Sequence, residues 1–101
     1  MDFTGKVAIV TGGANGIGRA VCLGFAARGG KVAIIDRDSE AGAALAAEIG
    51  AGRAIFQAAD VTKAAEVQGY VKATLDALGT IDCFHNNAGI EGRIANIVDY
   101  D

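Results

Sequence analysis

Lys6-Val7-Ala8-Ile9-Val10-Thr11 runs straight into Gly12-Gly13-Ala14-Asn15-Gly16-Ile17-Gly18, and the reading of that junction decides the fold. The first six residues are continuous and mostly aliphatic, the pattern of a strand buried on both faces. After the glycines, Ile17, Val21 and Phe25 recur at i, i+4 and i+8, which predicts a helix from Gly16 to about Arg28 with those three as its apolar stripe. A helix that opens inside a glycine run offers unpaired backbone N–H groups and positive partial charge, a combination that attracts phosphate. Gly12 permits the tight exit from the strand, and Gly16 leaves no side chain where a pyrophosphate would approach. Gly18 allows the helix to pack close to the sheet.

Working outward, the same alternation repeats. Gly29-Gly30 ends the first helix, and Lys31–Asp36 (KVAIID) reads as a second buried strand. A second helix is predicted over Ser39–Ile49, with Ser39 as N-cap, Ala41, Leu45 and Ile49 on one face, and Gly50 as its stop. Arg53–Ala58 (RAIFQA) is a shorter third strand. Thr62 offers a cap for a third helix over Lys63–Leu78, where Val67, Val71, Leu75 and Leu78 keep helical spacing; Gly69 weakens it by about 1 kcal/mol relative to Ala, and Gly79 closes it. Ile81–Asn86 (IDCFHN) is a fourth strand, and the last dozen residues hold no clear element. Strands joined through helices run parallel, with right-handed crossovers. The expectation is an α/β fold: an open, doubly wound parallel sheet of four strands with three helices.

Composition narrows the function classes. At 101 residues there is room for one small domain, and 51% apolar residues with a net charge of −3 argue against disorder. Nine Lys+Arg against twelve Asp+Glu give no basic footprint for nucleic acid. No apolar run approaches the roughly 20 residues of a membrane-spanning helix, and the N-terminus lacks the build of a secretion signal. Cys22 and Cys83 lie far apart inside apolar runs. They read as small core residues in a reducing, cytoplasmic setting rather than as a disulfide or a zinc site.

Two further residues sharpen the glycine loop. From Gly13 to Gly18 the spacing approaches the GxxxxGK[ST] phosphate loop, but Arg19 and Ala20 follow, so the lysine and hydroxyl of a nucleotide triphosphatase are absent. Asp36 closes the second strand eighteen residues past Gly18, near the position where a carboxylate accepts hydrogen bonds from an adenosine ribose. Such a carboxylate repels a 2′-phosphate and favours NAD over NADP. Arg37 beside it points the other way, since an arginine there can pair with that phosphate.

The spacing Thr11-Gly12-xxx-Gly16-x-Gly18 resembles the TGxxxGxG loop of the classical short-chain dehydrogenase/reductase family. Three more motifs of that family follow in order: Asp36, then Asp60-Val61 after the third strand, then Asn86-Asn87-Ala88-Gly89 after the fourth. The resemblance spans essentially the whole chain and implies a Rossmann-type cofactor-binding portion. It implies that Gly12, Asn15, Gly16, Ile17 and Gly18, together with Asp36 and Arg37, belong to the cofactor-binding site. It further implies that Asp60 meets the adenine amino group with a backbone contact from Val61, and that Asn87, Ala88 and Gly89 lie against the ribose. Asp60 also suits the role of cap for the next helix, and Asn86 that of a brace within the sheet.

The family's hydride transfer, between a nicotinamide cofactor and a small-molecule alcohol or carbonyl, uses a Tyr-x-x-x-Lys acid/base pair and an upstream Ser. No catalytic residue is assigned here. Tyr70 is followed by Lys72, Tyr100 only by Asp101, and Ser39 is the sole serine. The expectation is the N-terminal NAD-binding portion of a dehydrogenase of about 250 residues, inactive alone. Its fourth strand would then be a bare edge that pairs with a second copy or with the missing C-terminal part. A non-catalytic nucleotide-binding or interaction module is the alternative.

Overall fold

The sheet is built from the four expected strands, in a computed structural model that describes residues 2–60 and 63–86. The elements run β1 (Val7–Thr11), α1 (Gly16–Ala27), β2 (Lys31–Asp36), α2 (Ser39–Ile49), β3 (Ala54–Ala58), α3 (Ala64–Leu78) and β4 (Cys83–Asn86). Strand order is β3-β2-β1-β4, all parallel, with Thr11 level with both Ile35 and Asn86. The chain moves outward from β1 through β2 to β3, then returns past both to β4. With right-handed crossovers, that reversal puts α3 on the opposite face from α1 and α2.

The two cores show this alternation directly. Ala8, Val10, Val32 and Ile34 pack with Cys22, Phe25 and Leu45 on the α1/α2 face, whereas Ile9, Ala33 and Ile35 pack with Val67 and Tyr70 on the α3 face. Because both faces are covered, Val7–Val10 of β1 and Val32–Ile35 of β2 are apolar at every position, and the buried Thr11 that ends β1 is the polar exception. The N-terminus is drawn in by Phe3, whose ring stacks on Phe25 at 4.3 Å.

Several expectations need correction. Ile17 does not belong to a buried stripe: it is 68% exposed, and α1 instead buries Gly18, Cys22, Phe25 and Ala26. The contact of Gly18 with the glycine loop sets the helix's rotation and turns Ile17 outward. In α3 the sheet-facing residues are Val67, Tyr70 and Thr74, and Leu75 is 45% exposed. Thr74 is tolerated there because its hydroxyl donates to the Tyr70 carbonyl at 2.7 Å. In α2 the buried pair is Gly42 and Leu45. Its cap is Asp38, not Ser39: Asp38 stays extended and its carboxylate accepts the Ala41 N–H at 3.0 Å. Lys63 precedes α3 as its N-cap, and Thr62 lies outside the described residues. Gly79 caps α3 in the left-handed conformation.

Cys83 is exposed, against the expectation of a core thiol, while Cys22 is buried. Its strand is the sheet's edge among the described residues, and Cys83, level with Ala8, is not part of the cluster that Ala8 forms with α1 and α2. The edge is fastened by Asp82, which donates its N–H to the Val7 carbonyl at 2.8 Å and accepts the Val7 N–H on Oδ2 at 2.9 Å. Asp82→Ala should therefore lower stability by about 1–3 kcal/mol, read as a shift in the urea midpoint, with Asp82→Asn recovering part of it. An unshifted midpoint in Asp82→Ala would show that the reciprocal pair does not hold β4.

Candidate functional site

The glycine loop leaves β1 at the sheet's carboxyl edge, where the strand order reverses and open α/β sheets form their ligand crevice. Gly12 turns the chain at φ 65° and donates its N–H to the Ile35 carbonyl at 2.7 Å; Gly13 donates to the same oxygen at 3.4 Å. Ala14 is buried and donates to Oδ2 of Asp36 at 3.1 Å. Asn15 is extended, with no capping hydrogen bond from its side chain, and its carbonyl accepts the first helical bond from Arg19.

The N–H groups of Gly16, Ile17 and Gly18 thus open α1 without intrahelical partners, and no acidic residue stands in its first turn. Gly16 is exposed at φ 57°, and a methyl group added there would meet nothing within 4 Å. Space is therefore left in front of the helix. Gly18 has the opposite reason for being glycine: a Cβ there would lie 2.1 Å from the Gly12 carbonyl oxygen. Ile17 stands exposed beside this opening.

Asp36 ends β2 next to the loop, as the sequence spacing predicts. Oδ2 holds Ala14 and Oδ1 accepts the Asp38 N–H at 3.0 Å. Arg37 follows it, exposed and without an ion pair among the described residues. The Asp36 carbonyl accepts the Ala59 N–H at 3.1 Å, which ties the end of β2 to the segment leading to Asp60. Asp60 is half-buried; its N–H donates to Glu66 Oε1 at 2.5 Å and its carbonyl accepts the Lys63 N–H. The glycine loop, Asp36 and Asp60 accordingly line one edge of the sheet, from the ends of β1, β2 and β3. Val61, Asn87, Ala88 and Gly89 lie outside the described residues. Asn86 is placed by its backbone, level with Thr11.

Sequence reasoning missed Ala14 and Gly13. A Cβ on Gly13 would meet the Val10 carbonyl oxygen at 2.9 Å, so this position is also closed to side chains. Neither residue has a chemical handle, and only the packing reveals them. Tyr70 is buried in the core beneath α3. Among the described residues its hydroxyl is the sole buried side-chain polar atom without a hydrogen-bond partner. A separate open groove of about 370 Å³ lies between β3 and α3, lined by Gln57, Glu66 and Tyr70 among others, and takes no residue of the glycine loop. No cluster of metal-ligating side chains occurs among the described residues, and none of their helices is long and apolar enough to cross a membrane.

This arrangement fits a dinucleotide: an anion cradle free of side chains, with a carboxylate on the neighbouring strand tip. Comparison with known proteins agrees. The family described as short chain dehydrogenase matches residues 6–100. The chain is 41% identical over 95 residues to levodione reductase of Leifsonia aquatica, and 39% identical over 101 residues to short-chain dehydrogenase reductase 3c of Arabidopsis thaliana. These alignments cover 90% and 100% of this chain but 36% and 39% of those proteins, so the chain spans well under half the length of either. Among solved structures, a short-chain glucose/ribitol dehydrogenase from Brucella melitensis superposes with a TM-score of 0.79 at 30% identity, over 83% of this chain and 36% of that one. A short-chain dehydrogenase/reductase from Burkholderia phymatum in complex with NAD superposes at 0.78 with 34% identity, over 83% of this chain and 31% of its own. Loop, strand-tip acids, sheet order and alignment converge, and the chain belongs to the short-chain dehydrogenase/reductase family of oxidoreductases, with that family's Rossmann-type fold.

Proposed function

We propose that this chain is the NAD-binding portion of an oxidoreductase that moves a hydride between a nicotinamide cofactor and a small-molecule alcohol or carbonyl compound. The observation that carries the reading is the Asp36 carboxylate set against the opening of α1, where a ribose and its pyrophosphate would be gripped side by side. When bound, the nicotinamide supplies or accepts the hydride. The chain's own residues bind and orient the other end of the cofactor. The N–H groups at Gly16, Ile17 and Gly18 would hold the pyrophosphate, with Gly12 shaping the turn and Asn15 at the rim. Asp36 would accept the ribose hydroxyls and disfavour a 2′-phosphate, with Arg37 beside it. Asp60 and Val61 would meet the adenine, and Asn87, Ala88 and Gly89 the ribose, on the strength of the family motifs they match.

The 101 residues contain no Tyr-x-x-x-Lys pair. The chain by itself would therefore bind cofactor without turning it over, forming one cofactor-binding unit over residues 1–101. The edge of β4, open among the described residues, would pair with a further strand or with a second copy. A cytoplasmic setting suits its two free thiols.

Titration calorimetry tests the reading. NAD and ADP-ribose should bind with similar affinity, because the residues present face the adenosine and pyrophosphate. NADP should bind about tenfold or more weakly, a difference of ~1.4 kcal/mol or above. Absence of NAD binding would overturn the proposal, and tighter binding of NADP would hand the discriminating role to Arg37.

A further inference from the structure

We propose that Asp36 is also a positioning residue, whose carboxylate holds the glycine loop in its anion-receiving shape. The functional meaning rests on the cofactor reading above, whereas the geometry stands on the hydrogen bonds alone. Oδ2 accepts the Ala14 N–H at 3.1 Å, and Oδ1 accepts the Asp38 N–H at 3.0 Å. Ala14 is 3% exposed, so its N–H has little access to water and depends on that oxygen.

Gly12, Gly13 and Ala14 all donate toward the end of β2: the first two to the Ile35 carbonyl, the third to Asp36. Spending these three N–H groups on β2 leaves those of the first turn of α1 for a ligand. Ile35 contributes a backbone oxygen that no substitution removes, so among the described residues Asp36 is the side chain of β2 that accepts from the loop. Each carboxylate oxygen has two lone pairs, so ribose hydroxyls can be accepted while both backbone bonds persist. Ribose recognition and pyrophosphate recognition are thereby coupled through one carboxylate. Deleting Asp36 to admit NADP would loosen the pyrophosphate cradle at the same time.

Asp36→Ala and Asp36→Asn remove the same charge, but only Asn keeps an oxygen for Ala14, so the pair separates tether from charge. Amide exchange by NMR, without ligand, should show Ala14 at least about tenfold faster in Asp36→Ala than in Asp36→Asn, the loss expected for one hydrogen bond to a buried donor. Ile9 and Ala33 in the cores should be unchanged in both. Inorganic pyrophosphate, which has no ribose, should bind Asp36→Ala about tenfold more weakly than Asp36→Asn. Equal exchange and equal pyrophosphate affinity in the two variants would overturn the tether, as would a matching acceleration of Ile9 and Ala33. If exchange separates the variants but the unmodified chain binds neither pyrophosphate nor ADP-ribose, the tether stands and the cofactor reading fails.

Discussion

Gly18→Ala should destabilise the chain by about 3 kcal/mol and take adenine-nucleotide binding with it. The added methyl would lie 2.1 Å from the Gly12 carbonyl oxygen and 2.8 Å from both the Gly12 carbonyl carbon and the Gly13 Cα. All three are backbone atoms, held by the bonds of Gly12 and Gly13 to the Ile35 carbonyl, so no side chain can swing aside. Either α1 lifts from the sheet, uncovering Cys22 and Phe25, or the loop moves and its hydrogen bonds break. Of a total stability on the order of 5–15 kcal/mol for a domain, that is a large share. Gly16→Ala provides the contrast. Nothing lies within 4 Å of the added methyl, so the cost is the left-handed backbone, roughly 1 kcal/mol. The methyl would nonetheless occupy the space in front of the helix, and ADP-ribose should bind at least about tenfold more weakly. Urea unfolding and calorimetry on both variants check the pair. An unshifted midpoint in Gly18→Ala would refute the close approach of loop and helix.

Stability should also fall by a few kcal/mol between pH 9 and pH 12. Burial pushes the Cys22 thiol up from 9.0 to about 12, and the Tyr70 phenol up from 10.0 to about 12. Both groups are neutral when protonated, and their apolar surroundings disfavour the anion. Below pH 9 the folded and unfolded chains carry the same protons at these sites, and the contribution is complete. Above pH 9 the unfolded chain releases the Cys22 proton while the folded chain keeps it, and above pH 10 the same holds for Tyr70. The unfolded state then binds fewer protons, so stability declines with rising pH, by about 1.4 kcal/mol per unit for each proton at issue. The decline ends as the folded groups themselves ionise near pH 12.

Urea unfolding from pH 8 to pH 11 measures this slope, and the double variant Cys22→Ala/Tyr70→Phe should flatten it. Tyr70→Phe alone should raise stability at pH 7 by about 1 kcal/mol, because it removes a buried hydroxyl that lacks a partner among the described residues. An unchanged pH slope in the double variant would show that other groups govern alkaline unfolding.

Element type and order were legible in the residues because they are local. Continuous aliphatic runs such as Val7–Val10 and Val32–Ile35 suit only strands buried on both faces, and glycines at 50 and 79 mark helix ends wherever the chain folds. The placement of the candidate site was legible for a related reason. A strand feeding a glycine-rich helix start, followed by an acid at the next strand tip, places its chemistry through chain connectivity alone.

Other features awaited the fold. Apolar spacing shows that a helix has a stripe, but the surface it meets sets the rotation, so the Gly18–Gly12 contact turned Ile17 outward and Tyr70 replaced Leu75 on the buried face of α3. Asp38 rather than Ser39 caps α2 because the chain's path out of β2 brings that carboxylate to the Ala41 N–H. Cys83 is exposed through its place on an edge strand, which strand order determines and composition does not. The hydrogen bond of Ala14 to Asp36 and the fastening of β4 by Asp82 join residues 22 and 75 positions apart. Bonds of that reach exist only once parallel pairing has brought the strand ends level, and no pattern along the chain encodes the distance they must span.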